Sequence, residues 1–249
     1  MRGKLLLVPV LAAGLLASAA PAIGEQTAGP TAGLPEEVEG GVIVELADGD
    51  RFKATISRDE RTVWGSRYDA ATSAWSQRTV VLREKDLQCG SIEARGAGTA
   101  VALMASCDVG GYSEDTVPTD SRALYSPDTV TWSSYSLPGE AEDEPGISPD
   151  GANAIWPLDR GWLTSTATGF TLVERNLPDR EYTITGTISD TGDVSVLYGA
   201  QDDAGECAIN VLTASASGAV GHHHRPARHL LAVGRDRDCA RQGARTGGP

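Results

Sequence analysis

"LYSPDTVTWSSYSLPG", residues 124–139, is the stretch on which the fold turns. A short apolar run ends at Tyr125, a Ser-Pro-Asp turn follows, and Trp132 opens a second run of strand-forming residues. The same order occurs 57 residues earlier: "YDAATSAWS" (68–76) and "YSPDTVTWS" (125–133) share Tyr-x6-Trp-Ser. "GFTLVERNLP" (169–178) resembles the tail of this unit, with Leu172 standing where Trp132 does. A second echo links "GISPDG" (146–151) to "TISDTG" (187–192), 41 residues apart. Similarity at such intervals is the signature of a repeat architecture, and the intervals match one four-stranded propeller blade.

Outward from this unit the pattern stays β. "GVIVELADGDRFKATIS" is strand, Asp-Gly turn, strand, and "SIEARG" and "TAVALMASCD" flank a glycine turn. Further short runs follow in "GANAIWPL", "GWLTSTATGFTLVE", "YTITGTIS", "DVSVLYGAQ" and "CAINVLTAS". No stretch of this body sustains a 3.6-residue apolar period. The expectation is an all-β domain over residues 41–220, a partial β-propeller of about three to four blades, with a β-sandwich as the alternative. Closed propellers have about four to eight blades. A shorter series closes by oligomerising or belongs to a longer chain.

Ser126-Pro127-Asp128-Thr129-Val130-Thr131-Trp132 resembles the Asp-box repeat of sialidase-type propellers, a Ser-x-Asp-Gly-x-Thr-Trp pattern. The resemblance implies a structural turn between outer strands of a blade, away from the active face. In it Ser126, Asp128, Thr131 and Trp132 are scaffold residues. The local physics agrees, since an aspartate there accepts backbone N–H bonds and an indole buries a large ring between sheets. Thr129 occupies the glycine position, where a β-branched residue resists positive φ. The family's catalytic set is a cluster of three arginines, a tyrosine paired with a glutamate, and an acid/base aspartate. Neither the Arg-Ile-Pro signature nor triad spacing of the arginines is present, so no catalytic residue carries over.

The N-terminus reads as an export signal over residues 1–22. Arg2 and Lys4 precede the 13-residue apolar run "LLLVPVLAAGLLA", and "ASAAPA" offers cleavage after Ala19 or Ala22. No other segment is apolar enough to span a bilayer. Residues 23–40 read as a mobile linker. Residues 1–220 carry a net charge of −17, which excludes a nucleic-acid footprint, while 221–249 carry +4 and all four histidines. This abrupt shift reads as a disordered tail, out of frame and replacing further blades; a His-rich metal-binding tail and a basic interaction tail are the alternatives. An exported chain with Cys89, Cys107, Cys207 and Cys239 is expected to hold disulfides. A Cys89–Cys107 bridge across the glycine-turn hairpin is favoured, worth about 3 kcal/mol for a loop of this size.

The body of the chain contains no histidine, which leaves no Ser-His-Asp or His-ligated metal chemistry there. No cofactor is expected. Calcium on "EAEDEPG" (140–146) or Asp202–Asp203 is weighed against solvated acidic loops, which are commoner. Trp64, Trp75, Trp132, Trp156 and Trp162 are expected in cores, with carbohydrate stacking by one or two as the alternative. The expected function is a secreted, non-catalytic scaffold that binds an extracellular glycan or protein. The alternatives are a truncated or degenerate sialidase-like glycoside hydrolase and a truncated product without function.

Overall fold

The structure, a computed structural model, describes residues 36–38, 41–109, 120–137, 144–158, 161–174, 181–201, 207–216 and 220–223. Its eighteen strands form four antiparallel sheets in chain order. The first contains β1 (Glu36–Val38), β2 (Gly41–Glu45), β3 (Arg51–Ile56) and β4 (Thr62–Asp69), with β5 (Ala74–Trp75) and β6 (Thr79–Arg83) both on β4. The second is β7 (Leu87–Ala97), β8 (Ala100–Val109), β9 (Arg122–Ser126) and β10 (Ser133–Ser136). The third is β11 (Gly146–Ile147), β12 (Asn153–Leu158), β13 (Gly161–Thr166) and β14 (Gly169–Glu174). The fourth is β15 (Glu181–Ile188), β16 (Val194–Gln201), β17 (Cys207–Ala214) and β18 (Val220–His223).

Alternation along single strands shows how the sheets stack. In β8, Val101, Leu103, Ala105 and Cys107 enter a core shared with Val44, Phe52 and Val63 of the first sheet. The intervening Ala100, Ala102 and Met104 enter a second core with Ala154, Trp156 and Leu163 of the third sheet. In β12, Ile155 turns the other way, joining Trp162, Val196 and Leu212 between the third and fourth sheets. Each inner sheet is therefore apolar on both faces. The inter-sheet contacts gather on the early strands: β7 meets β2 and β3, β11 meets β7 and β8, and β15 meets β11 and β12. Four-stranded meanders fanned about their inner strands form a partial β-propeller.

The Ser-Asp-Gly echo falls at equivalent places. Ser148 and Ser189 begin the turns from first to second strand in the third and fourth sheets. Gly151 and Gly192 take φ of +77° and +81° and donate N–H to Ser148 O (2.8 Å) and Ser189 O (2.9 Å). Tyr68–Trp75 and Tyr125–Trp132 span the turns that leave β4 and β9, but in different registers: Tyr68 pairs with Trp75, whereas Tyr125 pairs with Ser133 and faces away from Trp132.

Two boundaries move. Glu36–Val38, expected in the mobile linker, pairs with β2. The composition break at residue 221 falls inside β18, which pairs with β17 from Val220 to His223. Edge strands need only backbone hydrogen bonds, so neither segment needs apolar alternation. The signal segment, Asp202–Asp203 and Cys239 lie outside the described residues. Among those residues no helix is long and apolar enough to cross a membrane.

Candidate functional site

Where the inner strands of the second, third and fourth sheets converge, they leave a cleft of about 380 Å³. Arg95, Glu144, Ile147, Thr185 and Thr187 line it. Alternation on β7 aims Ile92 and Ala94 at the first sheet, which leaves Arg95 facing the third. There Arg95 Nη2 pairs with Glu144 Oε2, and both side chains stay partly open to solvent. Close approach of β11 and β15 closes the floor. A Cβ on Gly146 would lie 2.8 Å from Gly186 O and 2.7 Å from Ile155, so only glycine fits. The cleft offers guanidinium N–H donors and a carboxylate acceptor with no net charge, while Thr185 and Thr187, cross-strand partners of Leu197 and Ser195, border it on β15 with their side chains on the other face of the fourth sheet. Such a lining recognises a polar ligand by hydrogen bonds.

The Ser126–Trp132 turn stands apart from this cleft, on one rim. Asp128 Oδ1 accepts the N–H of Val130 (2.8 Å) and Thr131 (2.7 Å) and the Ser126 hydroxyl (3.1 Å). Burial pushes the Asp128 carboxyl up, but the Thr131 and Val130 N–H groups and the Ser126 hydroxyl outweigh it and hold it below the ordinary carboxylate value. Thr129 adopts φ +64°, the left-handed region expected to resist it. Trp132 packs against the core between the first two sheets, its ring 5.3 Å from Phe52. Its Nε1 is buried without a hydrogen-bond partner.

Only this turn was matched to the Asp-box in sequence, yet two more Ser-x-Asp turns, one of them within the 146–151 echo, share its chemistry. Ser148 Oγ donates to Asp150 Oδ1 (2.7 Å), which also accepts Ala152 N–H (2.8 Å). Ser57 Oγ donates to Asp59 Oδ1 (2.5 Å), and Glu60 takes φ +60°. The signal was present: Ser148-Pro149-Asp150 repeats Ser126-Pro127-Asp128 letter for letter. The turns also tie sheet to sheet. Ala47 N–H donates to Gly98 O (2.7 Å), Tyr125 Oη to Gly151 O (2.6 Å) and Asp150 N–H to Asp190 Oδ1 (2.9 Å). Burial, then the nearby Asp150 charge, pushes the Tyr125 phenol up.

Cys89 and Cys107 face each other across β7 and β8 and form a disulfide, buried against the first sheet. Among the tryptophans, Trp156 and Trp162 are core residues, Trp64 and Trp132 are half-buried, and Trp75 is exposed. Among the described residues no group of three or more His, Cys, Asp or Glu could hold a metal ion. Of the acidic loop proposed for calcium, Glu144 is paired with Arg95. The Arg95–Glu144 pair was invisible in sequence, because 49 residues separate its members and Glu144 stood out only as part of the acidic loop 140–146.

No family model matches the chain, and no curated protein matches it. Among solved structures, a Hadza microbial sialidase matches at 14% identity and TM-score 0.40, covering 80% of this chain and 47% of its own. A luciferin-regenerating enzyme matches at 12% and 0.36, covering 74% and 62%. An α-L-arabinofuranosidase of Podospora anserina matches at 10% and 0.31, covering 82% and 71%. The chain thus spans 47% of the sialidase's length and 62% of the luciferin-regenerating enzyme's. Neither activity nor ligand transfers to this chain from them.

Proposed function

We propose that this chain is a secreted, non-catalytic, propeller-like binding module whose inner cleft takes a neutral, hydroxyl-rich ligand of glycan type. The observation that carries this function is the cleft lining itself. The Arg95–Glu144 pair supplies donors and an acceptor in balance, the pattern that hydroxyl groups match. Ser126, Asp128, Thr131 and Trp132 are its scaffold, because the turn's polar groups bond one another and its indole enters a core. The test is a glycan array with the purified chain, run beside a fluorogenic sialoside assay. Binding is expected without turnover, and Arg95→Ala is expected to weaken it about tenfold or more, the loss of a charge-assisted hydrogen bond. Sialoside turnover would establish the glycoside hydrolase instead. Binding indifferent to Arg95→Ala would move the site elsewhere.

A further inference from the structure

The repeat shows which faces of the fan stay uncovered among the described residues. Trp132 of the second sheet packs on the core shared with the first, and its counterpart Leu172 of the third packs on the core shared with the second. Each thus reaches back toward the preceding sheet. Their counterpart in the first sheet is Trp75. Among the described residues no sheet precedes it; it stays 43% exposed and stacks on Tyr68 at 5.4 Å. Val80, also 43% exposed, pairs with Trp64 beside it. Since Val42, Val44, Phe52, Ala54 and Val63 all turn to the second sheet, the outer face carries Ile43, Trp64, Tyr68, Trp75 and Val80. At the far end, Val196 and Leu212 turn to the third sheet, so Leu197 and its cross-strand partner Val211 (37% exposed) face outward.

We propose that a second copy of this chain covers these faces, head to tail, so that two copies close one ring. The outer face of each first sheet would lie on the outer face of the other copy's fourth sheet, by the face-to-face packing already used three times within the chain. Two copies of four sheets give eight, within the range of about four to eight blades that closed propellers show. Four strands spaced about 4.8 Å apart, each about six residues long, give a face of roughly 400 Å². A two-fold ring uses two such faces per copy, roughly 800 Å², the area a stable interface needs from each partner. Charge agrees with the choice of surface. The chain is strongly acidic, at −13, yet Glu45 on the first face lies 3.8 Å from Arg51, Lys53 stands near its centre, and β16 and β17 present Ser195, Leu197, Val211 and Thr213 outward.

The test is sedimentation equilibrium on the purified full chain, with Val80→Lys and Val211→Lys, one on each face. A mass of two chains is expected. Each variant alone is expected to raise the dissociation constant about a hundredfold, because an unpaired charge is buried in the contact. An equimolar mixture is expected to recover part of the association, since one of its two contacts can then be free of both lysines. Both variants sit on exposed positions, and circular dichroism checks that they fold. A monomer at all concentrations would overturn the proposal. So would a dimer that Val211→Lys leaves intact, which would mean that like faces meet instead.

Discussion

Trp156→Phe tests the stacking of sheets most directly. The indole of Trp156 is fully buried between the second and third sheets, and its Nε1 donates to Leu103 O at 2.9 Å. Phenylalanine keeps the ring near Phe170, now 5.7 Å away, but removes the donor and roughly 40 Å³ of volume. At about 24 cal/mol per Å³ the cavity costs about 1 kcal/mol. The lost hydrogen bond adds about 1–2 kcal/mol, toward the lower end because a strand carbonyl has a second lone pair for its ladder partner. The expected total is about 2–3 kcal/mol. Urea unfolding with the disulfide intact reads it directly. With a slope of about 2 kcal/mol/M, the midpoint falls by about 1–1.5 M at unchanged slope. A loss under about 0.5 kcal/mol would mean that the indole does not fill a core between two sheets, and the fan would be wrong at its centre.

Thr129→Gly removes a β-branched side chain from φ +64°; relief of about 1–2 kcal/mol of strain, less the chain entropy glycine adds, leaves a gain of about 0.5 kcal/mol in the same assay. Replacing both Cys89 and Cys107 by serine frees the loop they close, 18 residues apart, and is expected to cost about 3 kcal/mol, while peptide mapping without reductant should recover the pair joined. Asp128 and Asp150 are held below the ordinary carboxylate value, Asp128 by N–H and hydroxyl donors that outweigh its burial, Asp150 by the Ala152 N–H and the Ser148 hydroxyl. A depressed folded-state value stabilises fully above the unfolded value, about 3.9, and that contribution disappears as pH falls through the folded one. Thermal midpoints should therefore drop below about pH 4, and Asp150→Asn should flatten that drop.

Much of the architecture was legible because strands and tight turns are local. Alternation marks a strand wherever one face is buried, and Ser-x-Asp with a left-handed residue next to it builds the same turn wherever it occurs. The two Gly-containing turns and the hairpin that joins Cys89 to Cys107 announced themselves in the sequence. β1 and β18 did not, because an edge strand is held by its neighbour's backbone.

Which way each face turns, and toward what, was decided only by the tertiary structure. Trp75 and Trp132 read alike in sequence, yet Trp132 enters a core and Trp75 meets solvent, because among the described residues a sheet precedes that of Trp132 and none precedes that of Trp75. Arg95 and Glu144 lie 49 residues apart and become a pair only when β7 and β11 converge at the inner edge. Local sequence set the strands, the turns and the disulfide hairpin through short-range backbone and side-chain forces. The cleft and the uncovered faces arise from the fan of whole sheets, a long-range packing outcome that no short segment encodes.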